Sequence, residues 1–232
     1  MNFPAKGDYI DIHNHGSSQV PGIFTVENLI AGEGKTPVPL TGIVYTAGIH
    51  PWQLSRENFS SQLQFVRSMA GYSNVIAVGE AGFDRLKGAP AELQEAAFEE
   101  QVKIAREHSK PVFIHCVRAW DELLSVRKRL GENEPWIVHG FRGKKELAYQ
   151  LISKNMFISF WFDFIIRPES SELVGSLPVE RIFLETDGSG EDIRLIYNKV
   201  AADLKTDTAH LREIIRNNYL KVFSDGGVVI TD

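Results

Sequence analysis

Short, dense apolar runs recur along this chain, and each closes on a histidine or an acidic residue. They read YIDIHNH (9–15), IVYTAGIH (43–50), VIAVGE (75–80), VFIH (112–115), WIVH (136–139) and RIFLETD (181–187). Runs this short and this rich in valine and isoleucine predict buried strands. Between them the pattern lengthens to that of a helix, most clearly over 91–108, where good helix formers follow Pro90. Further helices are predicted over 57–69, 119–130, 144–154, 192–204 and 209–223. Strands alternating with helices imply βαβ units and a parallel sheet, here a TIM-type (β/α) barrel. Residues 16–42 break the rhythm. Gly16, Pro21, Gly22, Gly32, Gly34, Pro37, Pro39 and Gly42 leave no room for a full helix, so the barrel is expected to be distorted. Its second βα unit is predicted as a strand near 23–30 followed by a loop.

Composition permits this architecture. A chain of 232 residues, 43% hydrophobic, buries enough surface for one barrel domain spanning 1–232, and no shift in composition marks a second. The one cysteine, Cys116, excludes a disulfide framework and predicts a reducing compartment. No secretory leader and no apolar run of membrane length is visible, so a cytoplasmic protein without membrane contact is expected, with no obligate protein partner evident. A formal charge of −5 argues against broad, non-specific nucleic-acid binding but leaves room for a local basic mouth.

The strand ends carry the chemistry. In a barrel of this type the site is built where the strands finish, and a metal site there needs ligand-type side chains from several strands. Alternation along the first strand is expected to put Asp11, His13 and His15 on one face and Ile10, Ile12 and Asn14 on the other. His13 and His15 can hold one metal, or be solvated or core histidines. Glu80 closes VIAVGE, where a carboxylate is costly to bury unless it is paired or coordinates a cation; the alternative partners are Arg85 and Lys87. Asp84 offers a second carboxylate, and Gly79 and Gly82 allow close backbone approach. His115, His139 and Asp187 end three further strands. Taken jointly, these positions predict a metal-dependent enzyme.

The ordered motifs resemble the TatD family of metal-dependent deoxyribonucleases, within the amidohydrolase-like metallo-barrels. They are DIHNH (11–15), GIHPW (48–52), VGEAGFD (78–84), PVFIHC (111–116), HGFRG (139–143) and FLETD (183–187). Gln94, Phe98, Gln101, Ala105 and Pro111 follow the family's spacing, and Asn217 or Asn218 with Phe223 resembles its terminal helix. The resemblance implies one metal on His13, His15, Glu80 and Asp187 and a second on Glu80, His115 and His139, with Glu80 bridging. It implies that His50 contacts the scissile phosphate or positions a water, and that the chain hydrolyses DNA phosphodiesters.

The chain departs from the family pattern around the substrate. Val117 stands where members carry an arginine, with Arg118 one residue on; Arg142 replaces a small hydroxyl residue; Arg85 replaces a tyrosine; Gly188, Ser189 and Gly190 replace the usual loop. Arg85, Arg118, Arg142, Lys144 and Lys145 fall in loops after strands, where guanidinium groups suit a phosphoester. Each can equally be solvated surface. Trp52, Phe141, Trp161 and Phe162 can stack on bases or pack the core. The expected chemistry is two-metal phosphodiester hydrolysis, with Glu80, Asp187 and His50 catalytic and Asp187 a proton acceptor. Of Mg, Mn and Zn, four imidazoles favour Mn²⁺ or Zn²⁺. A small-molecule phosphoesterase or amidohydrolase on the same metallo-barrel is the alternative. A nucleic-acid-binding module of low turnover is the third reading.

Overall fold

In the computed structural model, described for residues 3–16 and 18–224, eight parallel strands stand side by side in chain order. They are β1 (Tyr9–Asn14), β2 (Ile23–Ile30), β3 (Ile43–Gly48), β4 (Val75–Asp84), β5 (Val112–Val117), β6 (Trp136–Val138), β7 (Met156–Trp161) and β8 (Ile182–Glu185). Helices follow from β3 onward: α1 (Phe59–Ala70), α2 (Ala91–Glu107), α3 (Trp120–Leu130), α4 (Lys145–Ile152), α5 (Phe162–Ile165), α6 (Pro168–Ser176), α7 (Ile193–Asp203) and α8 (Thr208–Phe223). This is the TIM-type barrel expected, and the predicted helices begin or end within about two residues of the observed ones, the usual scatter of helix ends.

Two differences change the picture. Among the described residues no helix follows either β1 or β2, so the first βα unit is reduced as well as the second. The sequence reading also omitted β7, α5 and α6. MFISFW ends without a histidine or a carboxylate, so the strand-end signal was silent there.

The sheet is closed without a β8–β1 ladder. The seam is held instead by individual groups. Asp187 N–H donates to His13 O at 3.1 Å. The Asp11 carboxylate accepts from Thr186 N–H at 2.9 Å and from Thr186 Oγ1 at 2.6 Å. From α7, the Tyr197 hydroxyl accepts from Ile10 N–H and donates to Ile10 O, both at 3.1 Å. These bonds satisfy backbone groups that an open strand edge would leave buried and unpaired.

The barrel interior below the strand ends is aromatic. Phe24 meets Tyr219 of α8 edge-on at 5.2 Å, Tyr219 lies 4.5 Å from Phe223, and Phe223 stacks on Phe113 at 6.3 Å. Phe113 in turn lies beneath the His13 ring at 6.0 Å. The end of α8 therefore gives the strand-end polar groups a dry floor, where electrostatic interactions are strong.

Candidate metal centre

Register decides which side chains reach the mouth. Asp11 pairs with Thr25 and Asn14 with Glu27, so three residues of β1 span what two span on β2. This extra residue breaks the alternation. His13 and His15 meet, Nε2 to Nε2, at 3.2 Å, whereas Asp11 turns to Thr186 and Asn14 at the seam. The expectation that Asp11 shares their face is corrected accordingly. Burial raises the Asp11 pKa to about 6 against hydrogen bonds from Thr186 and Asn14 that lower it.

Glu80 occupies the centre, and β4 runs four residues past it to Asp84. Its Oε1 lies 2.6 Å from His139 Nε2, 2.8 Å from His115 Nδ1 and 3.2 Å from His50 Nε2. Its Oε2 lies 3.4 Å from His13 Nε2 and 3.6 Å from His15 Nε2. Each oxygen thus faces its own group of histidines. Neither Arg85 nor Lys87, the alternative partners, pairs with it: Arg85 Nε donates to Glu122 Oε1 at 2.7 Å, and Lys87 lies over the Trp52 ring at 3.7 Å. Asp187 Oδ1 completes the group of His13 and His15, 3.4 Å from His15 Nε2 and 3.6 Å from His13 Nε2. Asp187 has φ +51°, a left-handed conformation that aspartate tolerates.

Several residues that hold this arrangement were missed from sequence or left without a role. Asn28 Nδ2 donates to Glu80 Oε2 at 3.1 Å, and Asn28 Oδ1 accepts from Glu80 N–H at 3.0 Å and from Thr46 Oγ1 at 2.9 Å. A wholly buried asparagine within the apolar IFTVENLI was the available signal, because it must be hydrogen-bonded. Gln94 and Gln101, seven apart on α2, act on backbone. Gln101 accepts from Ile49 N–H at 2.7 Å, just before His50, and Gln94 accepts from Asp84 N–H at 2.7 Å. Glu185 Oε1 accepts from Gly140 N–H at 2.6 Å and lies 3.4 Å from His139 Nδ1.

Charge is balanced within the cluster. Burial would raise the Glu80 pKa, but the charge of His139 and hydrogen bonds with His115, His13 and His139 outweigh it and hold the carboxyl well below its usual range. Burial would lower His139, yet Glu80 and Glu185 lift it well above the usual imidazole range. His15 is raised, its burial outweighed by a bond to Asp187 and the charges of Glu80 and Asp187; His50 is lowered by burial. Asp187 is lowered by His15, His139 and His13 in spite of burial.

Do these residues fit metal ions? Three groups have one ligand atom per residue, all within 4.8 Å of one another: His13, His15 and Asp187; His13, Glu80 and His139; His50, Glu80 and His115. Imidazole nitrogens facing each other at 3.2 Å, with carboxylate oxygens between the pairs, form a converging set of lone pairs that a divalent cation satisfies. The clusters fit divalent metal ions. Because the raised pKa leaves His139 protonated near neutrality, a cation entering must displace that proton, so metal affinity is expected to fall as pH falls. Calorimetric titration of metal-free protein with Zn²⁺ in two buffers of different ionisation enthalpy should give release of about one proton or more at pH 7. Zero protons released would contradict this charge assignment.

The rim is less uniform than its sequence suggests. Arg118 is exposed, and its guanidinium makes no hydrogen bond or ion pair among the described residues. Arg142 is exposed over the Trp161 ring at 4.9 Å. Arg85 is tied to α3 through Glu122. Trp52, 45% exposed, donates through Nε1 to Asp84 Oδ2 at 2.7 Å and meets the His50 ring edge-on at 4.8 Å, so it walls the mouth. Phe141 is buried against Trp120 and Phe160 and Phe162 packs against the core, which removes both from the stacking candidates.

Similarity to known proteins follows the same lines. The sequence model of the family described as TatD related DNase matches residues 38–224, a span that begins after His13 and His15. The 3'-5' ssDNA/RNA exonuclease TatD of Rahnella sp. is 35% identical over 147 residues, which cover 61% of this chain and 56% of that protein. The match therefore spans little more than half of that relative's length. A TatD homologue from Escherichia coli K12 superposes with a TM-score of 0.73 at 21% identity, over 94% of this chain and 99% of the other. A hydrolase of the TatD family from Entamoeba histolytica gives a TM-score of 0.75 at 18% identity, over 94% and 98%. At these identities the two structures establish the shared barrel.

Proposed function

The chain belongs to the TatD related DNase family, and from that membership we propose that it is a metal-dependent phosphodiesterase acting on DNA, with a dinuclear centre. One observation carries the proposal: the two oxygens of Glu80 face two different groups of histidines. A carboxylate so placed would bridge two cations, one on His13, His15 and Asp187 and one on His115 and His139. Mn²⁺ or Zn²⁺ suits this nitrogen-rich set better than Mg²⁺. Bound there, such ions supply polarisation of a phosphoryl oxygen and a lowered pKa for the attacking water.

The chain's own groups do the rest. Asp187, ionised at neutral pH and partly exposed, accepts the proton of the attacking water. His50 is grouped with Glu80 and His115 by distance, but its Nδ1 accepts from Trp52 N–H at 3.1 Å. A neutral ring so held carries its proton on Nε2 and donates from there. His50 is therefore a hydrogen-bond donor to the scissile phosphate rather than a ligand. Arg118 and Arg142 are exposed and would hold phosphate oxygens, and the exposed part of Trp52 supplies stacking surface for a base. Among the described residues no helix is long and apolar enough to cross a membrane. A reducing, cytoplasmic setting suits the one cysteine, Cys116, whose thiol is pushed up by burial and so kept unreactive.

The test is a metal-dependent assay across single-stranded DNA, a small phosphodiester and a phosphomonoester. Cleavage of DNA that chelation removes and Mn²⁺ or Zn²⁺ restores is the expected result. Arg118→Ala and Arg142→Ala should keep the metals and lower DNA turnover by about a hundredfold, the loss of roughly 3 kcal/mol of transition-state contact. Arg85→Ala, already engaged by Glu122, should change it by less than about threefold. If the arginine variants cleave DNA at the wild-type rate, the rim is solvated surface. If only the small diester is cleaved, the protein is a small-molecule phosphoesterase.

A further inference from the structure

Trp52 and Lys87 lie on different loops of the barrel mouth, yet their backbones are fastened together. Asp84 joins them: its Oδ2 accepts from Trp52 Nε1 at 2.7 Å, and its Oδ1 accepts from Leu86 N–H at 2.7 Å and Lys87 N–H at 3.0 Å. Ala89 N–H donates to Pro51 O at 3.2 Å. Gly88, at φ +105°, lies between these bonds, and a Cβ there would stand 2.3 Å from that same Pro51 oxygen. The missing side chain is what lets the loop after β4 lie against the loop after β3. With the backbone held on both sides, the freedom that remains to Lys87 is in its side chain.

That side chain is laid on the indole, with Nζ 3.7 Å from the centroid of the Trp52 ring. Lys87 is exposed, and among the described residues its ammonium makes no hydrogen bond or ion pair. Arg85, two residues earlier, is by contrast neutralised by Glu122. A ring contact leaves a cation's charge uncompensated, so an arriving anion takes it over on favourable terms. The same indole meets the His50 ring at 4.8 Å and the His115 ring at 5.7 Å, both edge-on. One aromatic ring therefore links the Lys87 ammonium to the histidine that donates to the scissile phosphate.

We propose that Lys87 is a substrate-binding residue that holds the phosphate next to the scissile one, so that the site selects a strand with at least two successive phosphates over a lone phosphodiester. The inference rests on the proposed phosphodiesterase activity and adds to it the length of substrate the mouth is built for. A single strand carries a charge at every nucleotide, so a cation one indole away from the reacting phosphate meets its neighbour. Lysine suits this task, because a point charge on a long stem follows a flexible strand without the fixed geometry of a guanidinium. Trp52 keeps the ammonium over the mouth before substrate arrives, which reduces the ordering that binding requires.

The experiment compares kcat/KM of the Mn²⁺-loaded enzyme on TpT, which has one phosphate, and on TpTpT, which has two in succession. Wild type is expected to prefer TpTpT, and Lys87→Met to lower that preference by about tenfold, the loss of one charged contact. Methionine keeps an apolar stem on the indole, and Lys87→Arg should restore most of the preference. A second readout needs no turnover: binding of a hydrolysis-resistant phosphorothioate oligothymidylate across a range of salt. Its logarithmic salt slope should flatten by about 0.7 in Lys87→Met, the share of one single-strand phosphate, which a purely structural role would not change. An unchanged preference in Lys87→Met overturns the inference, as does an equal fall on both substrates. A wild type that cleaves TpT and TpTpT equally well overturns it too and leaves the phosphodiesterase reading standing. A wild type that cleaves neither overturns that reading, and the salt slope then decides the role of Lys87 alone: equal slopes in wild type and Lys87→Met overturn it, a flatter slope supports it.

Discussion

Glu80→Ala is expected to abolish metal binding and to lower the proposed phosphodiesterase activity by at least about a thousandfold, the loss of roughly 4 kcal/mol of transition-state stabilisation. No other side chain of the centre reaches both groups of histidines with separate oxygens. Removing it also removes the counter-charge that sustains the proton on buried His139 and leaves Asn28 Nδ2 without its acceptor. Leaving that buried amide unpaired costs about 1–3 kcal/mol. Elemental analysis of wild type beside Glu80→Ala and Glu80→Asp measures the first effect, and turnover on single-stranded DNA measures the second. Metal content equal to wild type in Glu80→Ala would remove Glu80 from the ligand set.

Gly82→Ala is expected to have the largest effect on stability. Gly82 sits at φ +147° in β4, register partner of His115, and a Cβ there would stand 2.1 Å from the His115 carbonyl oxygen. The obstacle is backbone, so no side-chain rotation relieves it. The cost is on the order of 3–5 kcal/mol, or a fall in melting temperature of about 10 °C. Gly131→Ala is the control: its φ is +83° and ψ −177°, yet nothing lies within 4 Å of the added atom, so it carries only the conformational penalty of about 1–3 kcal/mol. Equal melting temperatures for the two variants would show that the β4–β5 approach does not depend on this glycine. A folded Gly82→Ala should also bind Zn²⁺ more weakly, because the displaced carbonyl belongs to His115 itself.

The arginines of the rim show how far residue type alone can be carried. Arg85, Arg118 and Arg142 are equivalent in sequence, each a cation in a loop after a strand. In the fold one is consumed by Glu122, one lies on Trp161 and one has no polar partner among the described residues. Glu122 is 37 positions from Arg85, and no local pattern announces that pairing. β7 was invisible for a different reason. Its residues are mostly apolar, but it ends in tryptophan and not in a histidine or a carboxylate.

What the sequence determined by itself was the set of candidate ligand residues, their order along the chain and the barrel that gathers them. A strand end is marked locally by where an apolar run stops, and a helix by its period, so neither needs knowledge of distant residues. The glycines and prolines before β3 likewise announced that tract as non-helical, and among the described residues no helix stands there. Only the tertiary structure decided how those ligands are turned. The extra residue in β1, which sends Asp11 to the seam and His13 to the centre, exists only as a register against β2. The Glu80 carboxylate is held by Asn28, 52 positions away, and the His115 ring faces Asp84, 31 positions away. Hydrogen bonds act over about 3 Å whatever the separation along the chain, so atom-level orientation becomes defined only when the fold has brought those partners together.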